Sequence, residues 1–120
     1  CFSAEDFPTS QGEQLRDFCY IDDSVSGIIK SLECPIALGE VINIASGSPV
    51  KIRQVIEKVT ELVGSGTPNY GKFPYRVGEN MSLFADISKA EKLLGWKPYT
   101  SLDTGLLRTI EWYIRSTGHE

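Results

Sequence analysis

Ten residues constrain this chain more than any others: Gln14-Leu15-Arg16-Asp17-Phe18-Cys19-Tyr20-Ile21-Asp22-Asp23. Phe18 and Tyr20 alternate with Cys19 and Ile21, which is the two-residue period of a strand. Val25, Ile28, Ile29 and Leu32 then recur at spacings of three and four, the apolar stripe of an amphipathic helix. The pattern predicts a strand over Asp17–Ile21 and a helix over roughly Ser24–Leu32. Asp22 or Asp23 would be the N-cap, because a carboxylate accepts free backbone N–H groups and complements the positive end of a helix.

The remaining elements follow from periodicity and punctuation. Cys1–Glu13, with Pro8 and Gly12, reads as an irregular lead-in anchored by Phe2 and Phe7. Val41–Ile44 is short and β-branched, a strand suited to burial on both faces. Ile52, Val55, Ile56, Val59, Leu62 and Val63 predict a helix over Lys51–Val63, stopped by Gly64. Asn69–Phe73 and Met81–Ala85 read as brief extended pieces. Ser88 and Glu91 have capping-box spacing ahead of a short helix that ends at Gly95. Ser101 caps a last helix whose inner stripe is Leu102, Leu106, Ile110, Tyr113 and Ile114. The fold class expected is α/β (α+β), short strands with about four helices.

Bulk properties exclude several classes. The 120 residues, 41% of them hydrophobic, suit one small unit. A net charge of −4 with dispersed basic residues argues against a nucleic-acid partner. No apolar run approaches the ~18 residues of a membrane span. Cys1, Cys19 and Cys34 contain no CxxC pair, and His119 stands alone, so no metal site is expected. Free cysteines favour a reducing, cytoplasmic compartment. The chain begins at Cys1 and its single methionine is Met81, which raises the expectation of lost upstream sequence.

Arg16 and Arg76 are the strongest site candidates. A guanidinium forms paired, charge-assisted hydrogen bonds to phosphate or carboxylate and stays ionised at any working pH. Arg76 lies in the loop Pro74-Tyr75-Arg76-Val77-Gly78-Glu79, where Gly78 permits close backbone approach to a ligand. Glu79 can accept hydrogen bonds from a pair of hydroxyls, as in a ribose. The structural alternatives pair Arg16 with Asp17 or an acidic helix end, and Arg76 with Glu79. Ser46-Gly47-Ser48 could offer N–H groups to an anion but lacks a phosphate-loop pattern. Trp96 and Trp112 read as packing residues. Neither a GxGxxG fingerprint nor a Tyr-x-x-x-Lys pair is present, so no cofactor-binding or catalytic residue is expected in this chain.

Four blocks in order resemble the extended short-chain dehydrogenase/reductase family of NAD(P)-dependent nucleotide-sugar epimerases and dehydratases. They are Gln14–Asp23, Val41–Gly47, Pro74–Glu79, and Ala85–Ala90 with Leu94–Pro98. Val77 stands where the family carries proline, and Ala45 where it carries glycine. The resemblance implies that Arg16 and Arg76 bind the diphosphate of a nucleotide-diphosphate sugar and that Glu79 meets the nucleoside ribose. It implies a C-terminal substrate-binding region over residues 1–120. An N-terminal Rossmann domain, absent from this chain, would be its partner and would hold NAD or NADP and the hydride-transfer chemistry. Such a piece is expected to be inactive alone and to expose an apolar face through which it forms a homodimer. The alternatives are a nucleotide-sugar 4-ketoreductase of the same family, a non-catalytic nucleotide- or protein-binding module, and a structural remnant.

Overall fold

Four helices and five short strands make up the chain in a computed structural model that describes residues 6–118. Cys1, Phe2 and His119 lie outside the described residues. Strand β1 (Asp6–Pro8) runs parallel to β4 (Thr67–Asn69). A second sheet has β2 (Leu15–Arg16) at its centre, antiparallel to β3 (Val50–Lys51) and parallel to β5 (Ser82–Leu83). The helices are α1 (Ile21–Glu33), α2 (Ile52–Val63), α3 (Ser88–Leu94) and α4 (Leu102–Thr117).

Helix α2 occupies its expected span, and Gly64 closes it in the left-handed conformation. Gly95 does the same for α3. Ser101 caps α4 by accepting the Thr104 N–H at 3.2 Å. Other expectations move. The strand expected over Asp17–Ile21 pairs instead at Leu15–Arg16, and α1 begins at Ile21. Asp22 and Asp23 therefore sit inside the first turn, not at the cap. The Ser88 N–H donates to Asp86 Oδ1 at 2.9 Å, so Asp86 does the work expected of a Ser88 cap. The lead-in contains β1, and the extended piece expected from Asn69 onward ends there as β4. Val41–Ile44 forms no ladder with any described residue.

Asp23 is the hub of the helical half. It is 1% exposed. Its carboxylate accepts the N–H groups of Tyr99 and Thr100 at 3.2 and 3.0 Å and the Thr100 hydroxyl at 2.9 Å. Its backbone carbonyl accepts the Trp96 indole N–H at 3.1 Å. A buried carboxylate is tolerable only when its oxygens are satisfied in this way. These bonds fasten the start of α1 to the lead-in of α4, with Trp96 packed between them.

Little else is enclosed. Ala90 and Trp96 are the buried apolar side chains among the described residues. Ile21, Val25, Ile28, Ile29 and Leu32 of α1 are all exposed, as are Leu38 at 90% and Val41 at 84%. On α4, Leu102, Leu106 and Ile110 are half-buried, but Tyr113 and Ile114 of the expected inner stripe are exposed, and Trp112 is 66% exposed. The chain spans 50 × 41 × 19 Å with a radius of gyration of 17.2 Å. A compact chain of this length would measure about 13.6 Å. Its accessible surface is 8370 Å², against about 6,450 Å² for a compact monomer of this mass. The surplus of roughly 1,900 Å² exceeds what one partner contributes to a standard protein interface, about 800 Å².

Candidate functional site

Strand β2 places Arg16 at the centre of its sheet, and β5 runs beside it in the register Arg16↔Leu83. The chain immediately before β5 carries the 74–80 loop. One guanidinium nitrogen of Arg16 donates to Glu79 Oε1 at 2.8 Å, and another donates to the Leu15 carbonyl at 2.8 Å. Both partners of the ion pair are mostly shielded, with side chains 24% and 17% exposed. An ion pair this sheltered is screened less by salt than one in open solvent. The structural alternatives for these residues give way to a third arrangement, in which Arg16 pairs with Glu79 and not with Asp17.

Arg76 and Glu79 close one turn. The Glu79 N–H donates to the Arg76 carbonyl at 3.0 Å, and Gly78 has φ +77°. That left-handed φ is the reason glycine stands there. Val77, in the proline position of the resembling loops, is fully exposed at the tip. Three ties hold the loop to the segment before α1. Phe73 N–H donates to the Thr9 carbonyl at 3.1 Å, the Tyr75 hydroxyl accepts the Glu13 N–H at 3.1 Å, and Glu79 holds Arg16. The Arg76 side chain is exposed and makes no hydrogen bond or ion pair with any described residue. Arg16 and Glu79 are therefore joined by an ion pair, and Arg76 stands on the same turn as Glu79 with its side chain exposed.

Asp17 was visible in the sequence only as a neighbour of Arg16. Its carboxylate accepts the Ser46 N–H at 2.8 Å, the Ser46 hydroxyl at 2.6 Å, the Gly47 N–H at 2.9 Å and the Ala85 N–H at 3.4 Å. Partial burial pushes the Asp17 carboxyl up. The Ser46 hydroxyl and the N–H groups of Ser46, Gly47 and Ala85 outweigh it and hold the group below its ordinary value. The anion that the Ser46–Gly47 turn was suited to receive is thus a side chain of the same protein.

Two cavities flank the Phe18 segment. One of about 380 Å³ runs between Phe18–Ile21 and the start of α4. Another of about 400 Å³ is bordered by Phe18, Ser46, Tyr99 and Ser101. Neither of these two is lined by Arg16, Arg76 or Glu79. No group of metal ligands occurs among the described residues, and no helix is long and apolar enough to cross a membrane.

The order of these segments, with the paired Arg16 and Glu79 and the Arg76 turn, can be set against known proteins. The family model for GDP-mannose 4,6 dehydratase matches residues 3–109. This chain belongs to that family. It is one of the extended short-chain dehydrogenase/reductase group of nucleotide-sugar epimerases and dehydratases, and solved relatives include ones that hold NAD. The UDP-glucuronate 4-epimerase of Thermodesulfobacterium geofontis is 42% identical over 106 residues, which is 84% of this chain and 31% of that protein. The UDP-glucose 4-epimerase of Thermotoga maritima, solved with UDP-glucose, superposes with a TM-score of 0.84 at 31% identity over 94% of this chain and 36% of that one. The UDP-glucuronic acid 4-epimerase of Bacillus cereus, solved with NAD, gives 0.79 at 33% identity over 94% of this chain and 34% of that one. The chain spans about a third of the length of the curated relatives it matches.

Proposed function

We propose that this chain is the C-terminal, nucleotide-sugar-binding part of an NAD(P)-dependent epimerase or dehydratase, and that its ligand is a UDP-sugar. The observation that carries the reading is the Arg16–Glu79 pair, held at 2.8 Å on the loop that also presents Arg76. Arg76 gives its free fork to the diphosphate. Arg16, with one nitrogen on Glu79 and one on Leu15, gives its remaining N–H groups to the same diphosphate, because a guanidinium has five donors. The second Glu79 oxygen accepts from the ribose hydroxyls. The relatives named for UDP-glucuronate and UDP-glucose support a uridine handle.

NAD(P), bound by an N-terminal Rossmann domain, supplies hydride transfer at a sugar carbon. The residues of this chain do no redox chemistry. They hold the non-reacting end of the substrate, so that its binding energy keeps the sugar in a reactive position. The surplus accessible surface and the exposed apolar residues of α1 and of 36–41 support a docking face for the Rossmann domain. The exposed Arg76 fits a site that the second domain completes.

Titration calorimetry with uridine diphosphate tests the binding role. Arg16→Ala and Arg76→Ala are each expected to weaken binding at least tenfold, about 1.4 kcal/mol or more. In the enzyme that carries this chain, Arg76→Ala raises KM for the UDP-sugar strongly. Binding indifferent to both arginines would overturn the proposed site. Conversion of a UDP-sugar by the 120-residue chain with NAD would overturn the division of labour.

A further inference from the structure

The two-residue ladders around β2 are too short to fix the position of Arg16 by themselves. Strands in stable sheets usually run five or six residues, whereas β2, β3 and β5 each have two. Something else must hold the sheet in register. The next residue in the chain, Asp17, is placed to do so. One of its oxygens accepts both the N–H and the hydroxyl of Ser46, and the other accepts the N–H groups of Gly47 and Ala85. Ser46 and Gly47 lie upstream of β3, and Ala85 lies two residues beyond β5. The carboxylate therefore ties the approaches to both neighbours of β2 at one point.

The turn that receives it is preformed. Gly47 has φ +70°, and a Cβ at Gly47 would stand 3.1 Å from Ile87. The Ser48 N–H donates back to the Ser46 hydroxyl oxygen at 3.1 Å. Converging N–H groups of this kind form a concavity for an anion. Glu79 precedes β5 and Ala85 follows it, so Arg16 is held by Glu79 on one side of that strand and by the Asp17 clamp on the other.

Resting on the diphosphate reading of Arg16, we infer that Asp17 is the positioning residue of the site: it touches no ligand and sets where the Arg16 guanidinium stands. The carboxylate, and not merely its shape, is required. In Asp17→Asn the amide nitrogen would face the N–H groups of Gly47 and Ala85, donor against donor.

The test is a double-mutant cycle on the gene product that carries this chain, with uridine diphosphate as the probe and calorimetry as the readout. Asp17→Asn is expected to weaken binding about tenfold in the wild-type background and less than twofold in the Arg16→Ala background, since its effect passes through Arg16. Ser46→Ala removes one of the four bonds, and with it the acceptor of the Ser48 N–H, without altering the carboxylate, and is expected to weaken binding about threefold. It serves equally if Asp17→Asn does not fold, and its effect too should vanish with Arg16 gone. Equal losses in both backgrounds would overturn the inference and leave Asp17 a general structural residue. An Arg16→Ala variant that binds normally would instead overturn the diphosphate reading on which it rests.

Discussion

Replacing Asp23 by alanine should remove most of the stability of the 120-residue chain. The carboxylate receives two backbone N–H groups and one hydroxyl at 2.9–3.2 Å in a site that is 1% exposed. The Thr100 hydroxyl can turn to another acceptor, but the N–H groups of Tyr99 and Thr100 cannot. Two donors orphaned in this part-buried site cost about 1–3 kcal/mol each, and water entering the vacated space recovers part of that, so a loss of about 3–4 kcal/mol is expected. Domains of this size have about 5–15 kcal/mol in total. With Ala90 and Trp96 the only buried apolar side chains among the described residues, this chain belongs at the low end. The assay is urea unfolding followed by tryptophan emission in a Trp112→Phe background, where the buried, hydrogen-bonded Trp96 is the sole reporter. With a denaturant slope of about 1.5–2 kcal/mol per M, the midpoint should fall by about 2 M. A fall under 0.5 M at unchanged slope would refute the assignment of Asp23 as the fastening point.

The Asp17 carboxyl is held below its ordinary value, so its contribution is present above the unfolded value near pH ~4 and is lost as pH falls through the lower folded value. The stability gap between wild type and Asp17→Asn should therefore be widest near neutrality and narrow below pH ~4, measured as urea midpoints; a gap constant down to pH 2.5 would refute the linkage. Ser101→Ala removes the acceptor of the Thr104 N–H at the start of α4 and should cost about 1 kcal/mol, seen in the same unfolding curves. The isolated chain, with its surplus apolar surface, should bind a hydrophobic dye and self-associate in sedimentation experiments at micromolar concentration; a monomer that binds no dye would contradict the docking face.

The candidate site was legible in residue type but not in arrangement. Arg16, Arg76 and Glu79 stand out because guanidiniums suit a phosphate and an acid suits a pair of hydroxyls. Four ordered blocks, not these residues alone, carry the family resemblance. Nothing local indicates that Glu79 reaches back 63 residues to Arg16, because that depends on the parallel pairing of β2 with β5. Asp17 was passed over for the same reason: its partners come from two distant turns. An acid ahead of an apolar stripe usually caps a helix, but the donors that claim Asp23 lie 76 and 77 residues away.

Local patterns settled what depends on neighbours in sequence: the span of α2, the glycine stops at Gly64 and Gly95, the Ser101 cap and the mixed α/β class. Each rests on hydrogen bonds and side-chain periodicity within a few residues, so the chain carries them wherever it goes. Tertiary structure decided which oxygen meets which donor. It turned Asp23 from a helix cap into a buried tie, gave the Ser46–Gly47 turn the carboxylate of Asp17, and set Arg16 against Glu79. It also left Val41–Ile44 without a ladder among the described residues, because a β-branched run can state its preference for a sheet but cannot supply the neighbouring strand.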